Sequence, residues 1–249
     1  MKSIWKIDIS TYLFILISLL SGLYKDIFLI LVILLFHEFG HLFFFRLFHI
    51  SVKKITIYPF GGIMIVDKKC HERIYKEVLC SIGGILFQCI LLLFFIFLYQ
   101  IRFIDNYFYY LFLQYNFSIF IFNLIPLIPL DGSKVLFHFC SKYFSYKFSY
   151  YCMLWISFIS TFVFIYVNYI YGRYDFVIYV FLFIQFIIYL KNMKYIMYEY
   201  YMEKILYSHY YDGIIYCDSF QEMRKDKYYY IHGMNERNFL LKKIDYSKK

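Results

Sequence analysis

The sequence predicts an all-α polytopic membrane protein of about six transmembrane helices, with a small β-hairpin loop between helices 2 and 3. Three observations predict it. Of the 249 residues, 62% are hydrophobic and 26% aromatic, and the mean hydropathy is +0.58; soluble domains run nearer roughly 45–50% apolar. The apolar residues fall in long runs, several close to the ~20 residues that a helix needs to cross a bilayer. Lys and Arg are rich and poor in alternate loops, the pattern expected of a chain threaded back and forth through a membrane. Residues 1–190 are read as the transmembrane domain and 191–249 as a short cytoplasmic C-terminal tail.

Taken in order, a short head carrying Lys2 and Lys6 precedes a first apolar segment over about Ile9–Tyr24. Lys25-Asp26 turns the chain into a second run, Ile27–Phe45, which ends at Arg46. A long loop follows, Leu47–Glu77, and within it KKITIYPFGGIMIV (Lys53–Val66) places two β-branched runs around Pro59 and Gly61-Gly62, a hairpin signal. Further spans are expected at about Val78–Tyr99, Tyr107–Leu124, Tyr150–Ile170 and Tyr174–Leu190. Gly83-Gly84 lies inside the first of these and reads as ordinary close helix packing.

The formal charge of +9 could suggest a nucleic-acid partner. Its distribution argues otherwise. The loop after the second run holds Arg46, Lys53, Lys54, Lys68, Lys69, Arg73 and Lys76, the next holds Arg102 alone, the fourth Lys134, Lys142 and Lys147, and the fifth Arg173 alone. The positive-inside rule turns that alternation into a multi-pass topology with both termini cytoplasmic, the lipid bilayer as partner and no direct nucleic acid binding. Six cysteines show no CxxC pairing and read as reduced, mostly buried packing residues. No cleavable signal peptide is expected, since the first apolar run lacks a small-residue cleavage site and another run follows at once.

The second run carries His37-Glu38-Phe39-Gly40-His41 at its inner end, the only ionisable groups in the segment. Residues four apart share a helix face. His37 and His41 can therefore grip one metal ion with Glu38 beside it as general base, which is the mechanics of an HExxH motif. Each ionisable group at membrane depth costs at least ~2.5 kcal/mol. Metal coordination offsets that cost for the three together, which a plain buried polar patch does less well.

Proline points to a second contributor. Pro126 and Pro129 stand in NLIPLIPLDG, Asn123–Gly132. Proline breaks a helix, and broken helices at membrane depth line cavities or are buried in protein. The segment so presents Asn123 and Asp131. A catalytic zinc takes three protein ligands and a water, and Asp131 is the best candidate for the third, its alternative reading being a helix-terminal or turn aspartate. By the charge pattern, the run bearing the histidines and the one before Asp131 both enter from outside, so His37, His41 and Asp131 share the cytoplasmic leaflet. His49, His71, His138, His209 and His232 have no comparable pairing, and Glu72, Glu77, Glu199 and Glu203, which could supply a glutamate ligand instead, lie outside the expected spans.

HEFGH in an early membrane helix, a PFGG loop and NLIPLIPLDG in a later helix together resemble the site-2 intramembrane metalloproteases, over about Ile27–Lys147. The resemblance implies Zn2+ held by His37, His41 and Asp131, water activated by Glu38, and Asn123 positioning substrate or stabilising the oxyanion. It implies a membrane-tethered protein substrate, in the sporulation branch a pro-sigma factor, and inhibitory membrane proteins as regulators. This chain departs from the family at Gly84-Ile85, where Gly-Pro is usual, and at Asp131-Gly132-Ser133, where DGG is frequent; neither removes a ligand. The sporulation branch also carries a C-terminal CBS domain, and the segment after Tyr200 looks too small for a complete one. The rival function is a non-catalytic membrane scaffold or transporter with a structural metal site, for which Glu38 would be dispensable.

Overall fold

A computed structural model describes residues 5–58, 61–66, 74–172, 176–206, 211, 213–217, 223–225, 227–231 and 233–247. They divide into two units, Met1–Lys68 with Leu79–Leu124, and Lys69–Val78 with Ile125–Lys249. The chain is mostly helical but not all-α. It carries two three-stranded sheets beside its helices.

In the first unit, α1 spans Ile9–Leu20 and α2 spans Tyr24–Leu47. The apolar run expected to continue to Tyr24 stops at Leu20 because Gly22 adopts φ +76, a left-handed conformation open to glycine, and turns the chain. At 12 residues, α1 is ~18 Å long, short of the ~30 Å hydrocarbon core. α3 (Ile74–Gln100) contributes its portion from Leu79 to this unit, and α4 (Asn106–Leu124) completes its helices. Leu29 and Ile33 of α2, Leu91 and Phe95 of α3 and Phe112 of α4 form its core, with the Phe95 and Phe112 rings stacked at 3.6 Å. Nearer the C-terminal end of α2, a Cβ on Gly40 would overlap the Gly83 carbonyl, and one on Gly83 would fall 2.8 Å from the Gly40 carbonyl oxygen. Two glycines at one crossing let α2 and α3 approach backbone to backbone.

The sheet of this unit runs in the order β1-β2-β3. β2 (Val52–Tyr58) pairs antiparallel with β3 (Gly61–Val66), in register from Tyr58↔Gly61 to Val52↔Val66, with an irregularity between Val52 and Lys54. Pro59 and Phe60, at the turn, lie outside the described residues. β1 (Trp5–Ile7), three residues with no strand signature in the sequence, pairs parallel with β2. β2 is therefore central, and among the described residues β3 has no strand on its outer edge.

In the second unit, α5 (Asp131–Tyr143), α6 (Tyr146–Ile170) and α7 (Phe176–Leu206) pack around Ile128, Tyr150, Met153, Leu154 and Met197. The boundary expected at residue 190 falls inside α7, a single helix. Beyond it, β4 (Ile214–Cys217), β5 (Tyr228–Ile231), β6 (Met234–Asn235) and α8 (Glu236–Ser247) enclose Met223, Tyr229, Ile231 and Leu240 against Ile205 of α7. The Lys204 ammonium, fully buried at the end of α7, pairs with Glu236 Oε1 at 2.7 Å. Burial pushes the Glu236 carboxyl above its usual range even though Lys204 pulls it down.

Among the described residues, α2, α3, α6 and residues Ile178–Leu206 of α7 are long and apolar enough to cross a membrane. The expected spans at α1 and α4 are not among them: α1 is short, and the 19 residues of α4 include Asn106, Gln114, Asn116, Asn123 and four tyrosines. Large apolar side chains on the long helices, such as Phe28, Leu35, Leu93, Phe97, Trp155 and Phe162, face outward, as in a protein solvated by lipid. Of the cysteines, Cys80 is buried, Cys140 and Cys152 partly so and Cys89 exposed, and none of these four forms a disulfide. The expectation of mostly buried cysteines is thus corrected at Cys89.

Candidate metal centre

α2 sets His37, Glu38 and His41 in its C-terminal half, all three at most 7% exposed. Their helical spacing brings His37 Nε2 and His41 Nε2 to 3.1 Å. The outer nitrogens are taken. His41 Nδ1 donates to the Cys80 carbonyl at 2.7 Å, and since a carbonyl can only accept, Nε2 holds the lone pair. His37 Nδ1 is 3.0 Å from Gln88 Oε1. Two buried nitrogens converging in this way suit a shared cation, and ligands of a tetrahedral zinc at ~2.0–2.1 Å sit about 3.3 Å apart. The residues present fit zinc.

α3 passes antiparallel to α2 here and shapes the site. A Cβ on Gly84 would lie 2.5 Å from both His37 Cε1 and His41 Nε2, so any side chain there would displace the imidazoles. Ordinary helix packing describes Gly83 but not Gly84, and the reading of the pair is corrected accordingly. Cys80, Gly84 and Gln88 recur at intervals of four and form one stripe facing α2. The sequence carried a faint signal, since Gln88 is an amide midway along an apolar span, where a polar side chain asks for a reason.

The hairpin reaches the same place. Gly62 N–H donates to Glu38 Oε1 at 2.6 Å, and a Cβ on Gly62 would fall 2.6 Å from the carboxylate carbon. A charge-assisted bond of this length fixes the carboxylate direction. Gly62 was legible only as a turn residue.

In the second unit, Asp131 opens α5 with its side chain 5% exposed and accepts from Lys134 Nζ at 2.7 Å. Its position at a helix N-terminus suits a carboxylate. The proline-rich approach is held down by Ile128 N–H donating to Ser157 Oγ at 2.8 Å. Asn123, at the end of α4 in the first unit, turns its amide back to donate to the Ile119 carbonyl of its own helix at 3.1 Å. His49 is exposed with φ +58. His138 lies 3.2 Å through Nδ1 from Glu77, which also pairs with Lys225, so Glu77 is committed within the second unit. Glu77 also stands inside α3, not beyond a span as expected. His71, Glu72, His209 and His232 lie outside the described residues.

Residues 26–104 and 99–166 match the family model for peptidase family M50. Stage IV sporulation protein FB from Bacillus subtilis (strain 168) is 34% identical over 141 residues, 56% of this chain and 49% of that protein. The chain spans about half the length of this curated relative. In fold it is similar to the site-2 protease from Methanocaldococcus jannaschii, with a TM-score of 0.55 at 22% identity, over 73% of this chain and 88% of the other. The family match contains His37, Glu38, His41, Gly84, Gln88, Asn123 and Asp131.

Proposed function

The chain belongs to peptidase family M50, a family of zinc metalloproteases, and from that premise we propose that it is an intramembrane metalloendopeptidase cutting a membrane-associated protein near the cytoplasmic leaflet. The buried, convergent Nε2 pair of His37 and His41 carries the reading. Asp131 is the proposed third ligand, supported by its burial and by its place in the matched region. When bound, zinc supplies a Lewis acid and lowers the pKa of its water toward ~7. Glu38 takes the proton from the attacking water and passes it to the leaving amine nitrogen, with its carboxylate aimed by Gly62. Asn123 positions the substrate once its amide leaves the Ile119 carbonyl.

A helical substrate hides its carbonyls in hydrogen bonds and must be extended to react. The outer edge of β3 offers backbone partners for such a strand. The similarity to the sporulation protein supports a pro-sigma factor as substrate; inhibitory membrane proteins as regulators are proposed on the motif resemblance alone. Six membrane segments with cytoplasmic termini complete the proposal, α1 and α4 being the two beyond the four long apolar helices, supported by the alternating Lys and Arg counts.

Glu38→Gln tests the function directly. The amide fills the same space but cannot take a proton, so zinc should stay while cleavage of a co-expressed membrane-tethered substrate falls at least ~100-fold. Normal turnover by the zinc-loaded variant would sink the protease reading.

A further inference from the structure

The two zinc-facing histidines are supported unequally. His41 leans on a main-chain carbonyl, Cys80 C=O, which has one possible role. His37 leans on the side-chain amide of Gln88, which presents either an acceptor oxygen or a donor nitrogen according to its orientation. The two orientations have opposite consequences. With Oε1 toward the ring, Nδ1 carries the hydrogen and Nε2 offers its lone pair beside His41. With the NH2 group toward the ring, Nδ1 accepts and the hydrogen moves to Nε2, which then cannot ligate a metal.

Gln88 is 0% exposed, and its Nε2 has no hydrogen-bond partner among the described residues. A buried amide with an unpaired donor is a stability cost that an apolar side chain would avoid. In a span whose neighbours are Ile, Leu, Phe and Cys, the residue is explained by its oxygen. We propose that Gln88 is a positioning residue that fixes the metal-binding tautomer and ring orientation of His37 by accepting from Nδ1–H.

Three residues of α3 then hold the centre from behind. Cys80 through its carbonyl sets His41, Gly84 through its bare Cα leaves room for both rings, and Gln88 sets His37. Outer partners of this kind are worth about 10–100-fold in metal affinity. Glutamate at 88 would place the same acceptor oxygen, with no donor to flip inward, but would bring a charge to membrane depth. Glutamine is the neutral solution.

The proposal rests on the metalloprotease reading, and its test separates the two. The full chain in detergent, as Gln88→Met and Gln88→Glu beside wild type, is assayed for zinc affinity by chelator competition and for the visible spectrum of its cobalt-substituted form. Met has the length of Gln without the oxygen, and should weaken zinc 10–100-fold and alter the cobalt bands, with thermal unfolding of the metal-free protein not lowered. Glu should restore zinc affinity to within about threefold of wild type, a rescue that a packing role would not predict. If Met matches wild type in affinity and spectrum, the inference is overturned. It is equally overturned if folded Gln88→Glu binds zinc about tenfold or more weaker than wild type, a measurement that stands even where Met fails to fold. Wild type that holds no zinc at all would overturn the proposed function itself.

Discussion

The Gly62 amide nitrogen lies 2.6 Å from Glu38 Oε1, so a backbone donor from the hairpin holds the side chain proposed as the general base. Gly62 has no unusual φ, whereas its neighbour Gly61 sits at φ +141. An alanine at 62 is thus compatible with the backbone but not with the carboxylate, whose carbon would be 2.6 Å from the new Cβ. Gly62→Ala is expected to lower the cleavage rate about 100-fold, the scale of misplacing a catalytic group by an ångström. Zinc content should be unchanged, because no ligand is touched. Wild-type cleavage by Gly62→Ala would show that this contact does not position the base.

Asp131→Ala tests the third ligand. It should lower bound zinc and cleavage together, since an open two-histidine site lacks the three protein ligands of catalytic zinc. Metal analysis of the purified variant decides the matter: wild-type stoichiometry and affinity exclude Asp131 as ligand. Asp131→Glu is expected to recover part of the zinc, as the carboxylate remains at the head of α5.

What could be read in advance depended on distance along the chain. His37, Glu38 and His41 were legible because one turn of helix fixes their relation, whatever packs against it. Asp131, the proposed third ligand, was singled out through the prolines that precede it. Gly84, Gln88 and Gly62 were not, because each acts only where another element comes close, and a single sequence does not say which face of α3 meets α2. The same limit hid β1, too short to show a pattern and formed only because β2 offers it an edge. The shortening of α1 turned on one glycine φ, and the run of α7 to Leu206 on burial of Lys204 and Tyr200 beneath the C-terminal strands. Apolar composition marked where helices are, and local backbone events marked where they end.

The proposed topology makes a separate prediction. Single cysteines at Asn106 and Gly172 should react with an impermeant thiol reagent added to intact cells, and one at Ser51 only after permeabilisation. The labelling should be scored in a background lacking Cys89, which is exposed. Labelling of Ser51→Cys from outside would invert the protein and place the centre in the leaflet opposite to the one proposed.

The last prediction concerns the edge on which an extended substrate would lie. Sheet order covers one side of β2 with β1 and the other with β3, so of the two hairpin strands β3 is the one with an unpaired edge among the described residues. Gly62 N–H donates to Glu38, so it points away from β2, and backbone direction alternates along a strand. Met64, two residues on, therefore points its N–H outward as well, while Ile63 points inward to the ladder with Thr56. Proline is tolerated on an edge strand where its missing N–H faced solvent, and is destructive where a ladder bond is lost. Met64→Pro should leave the sheet and zinc intact yet cut cleavage at least ~10-fold, because a backbone bond to the substrate strand is gone. Ile63→Pro should instead unfold the hairpin and release Glu38, a loss that protease sensitivity would register. If the hairpin only anchors the domain in the membrane, Met64→Pro will cleave as wild type does, and that result in a folded, zinc-loaded protein would end the strand-addition idea.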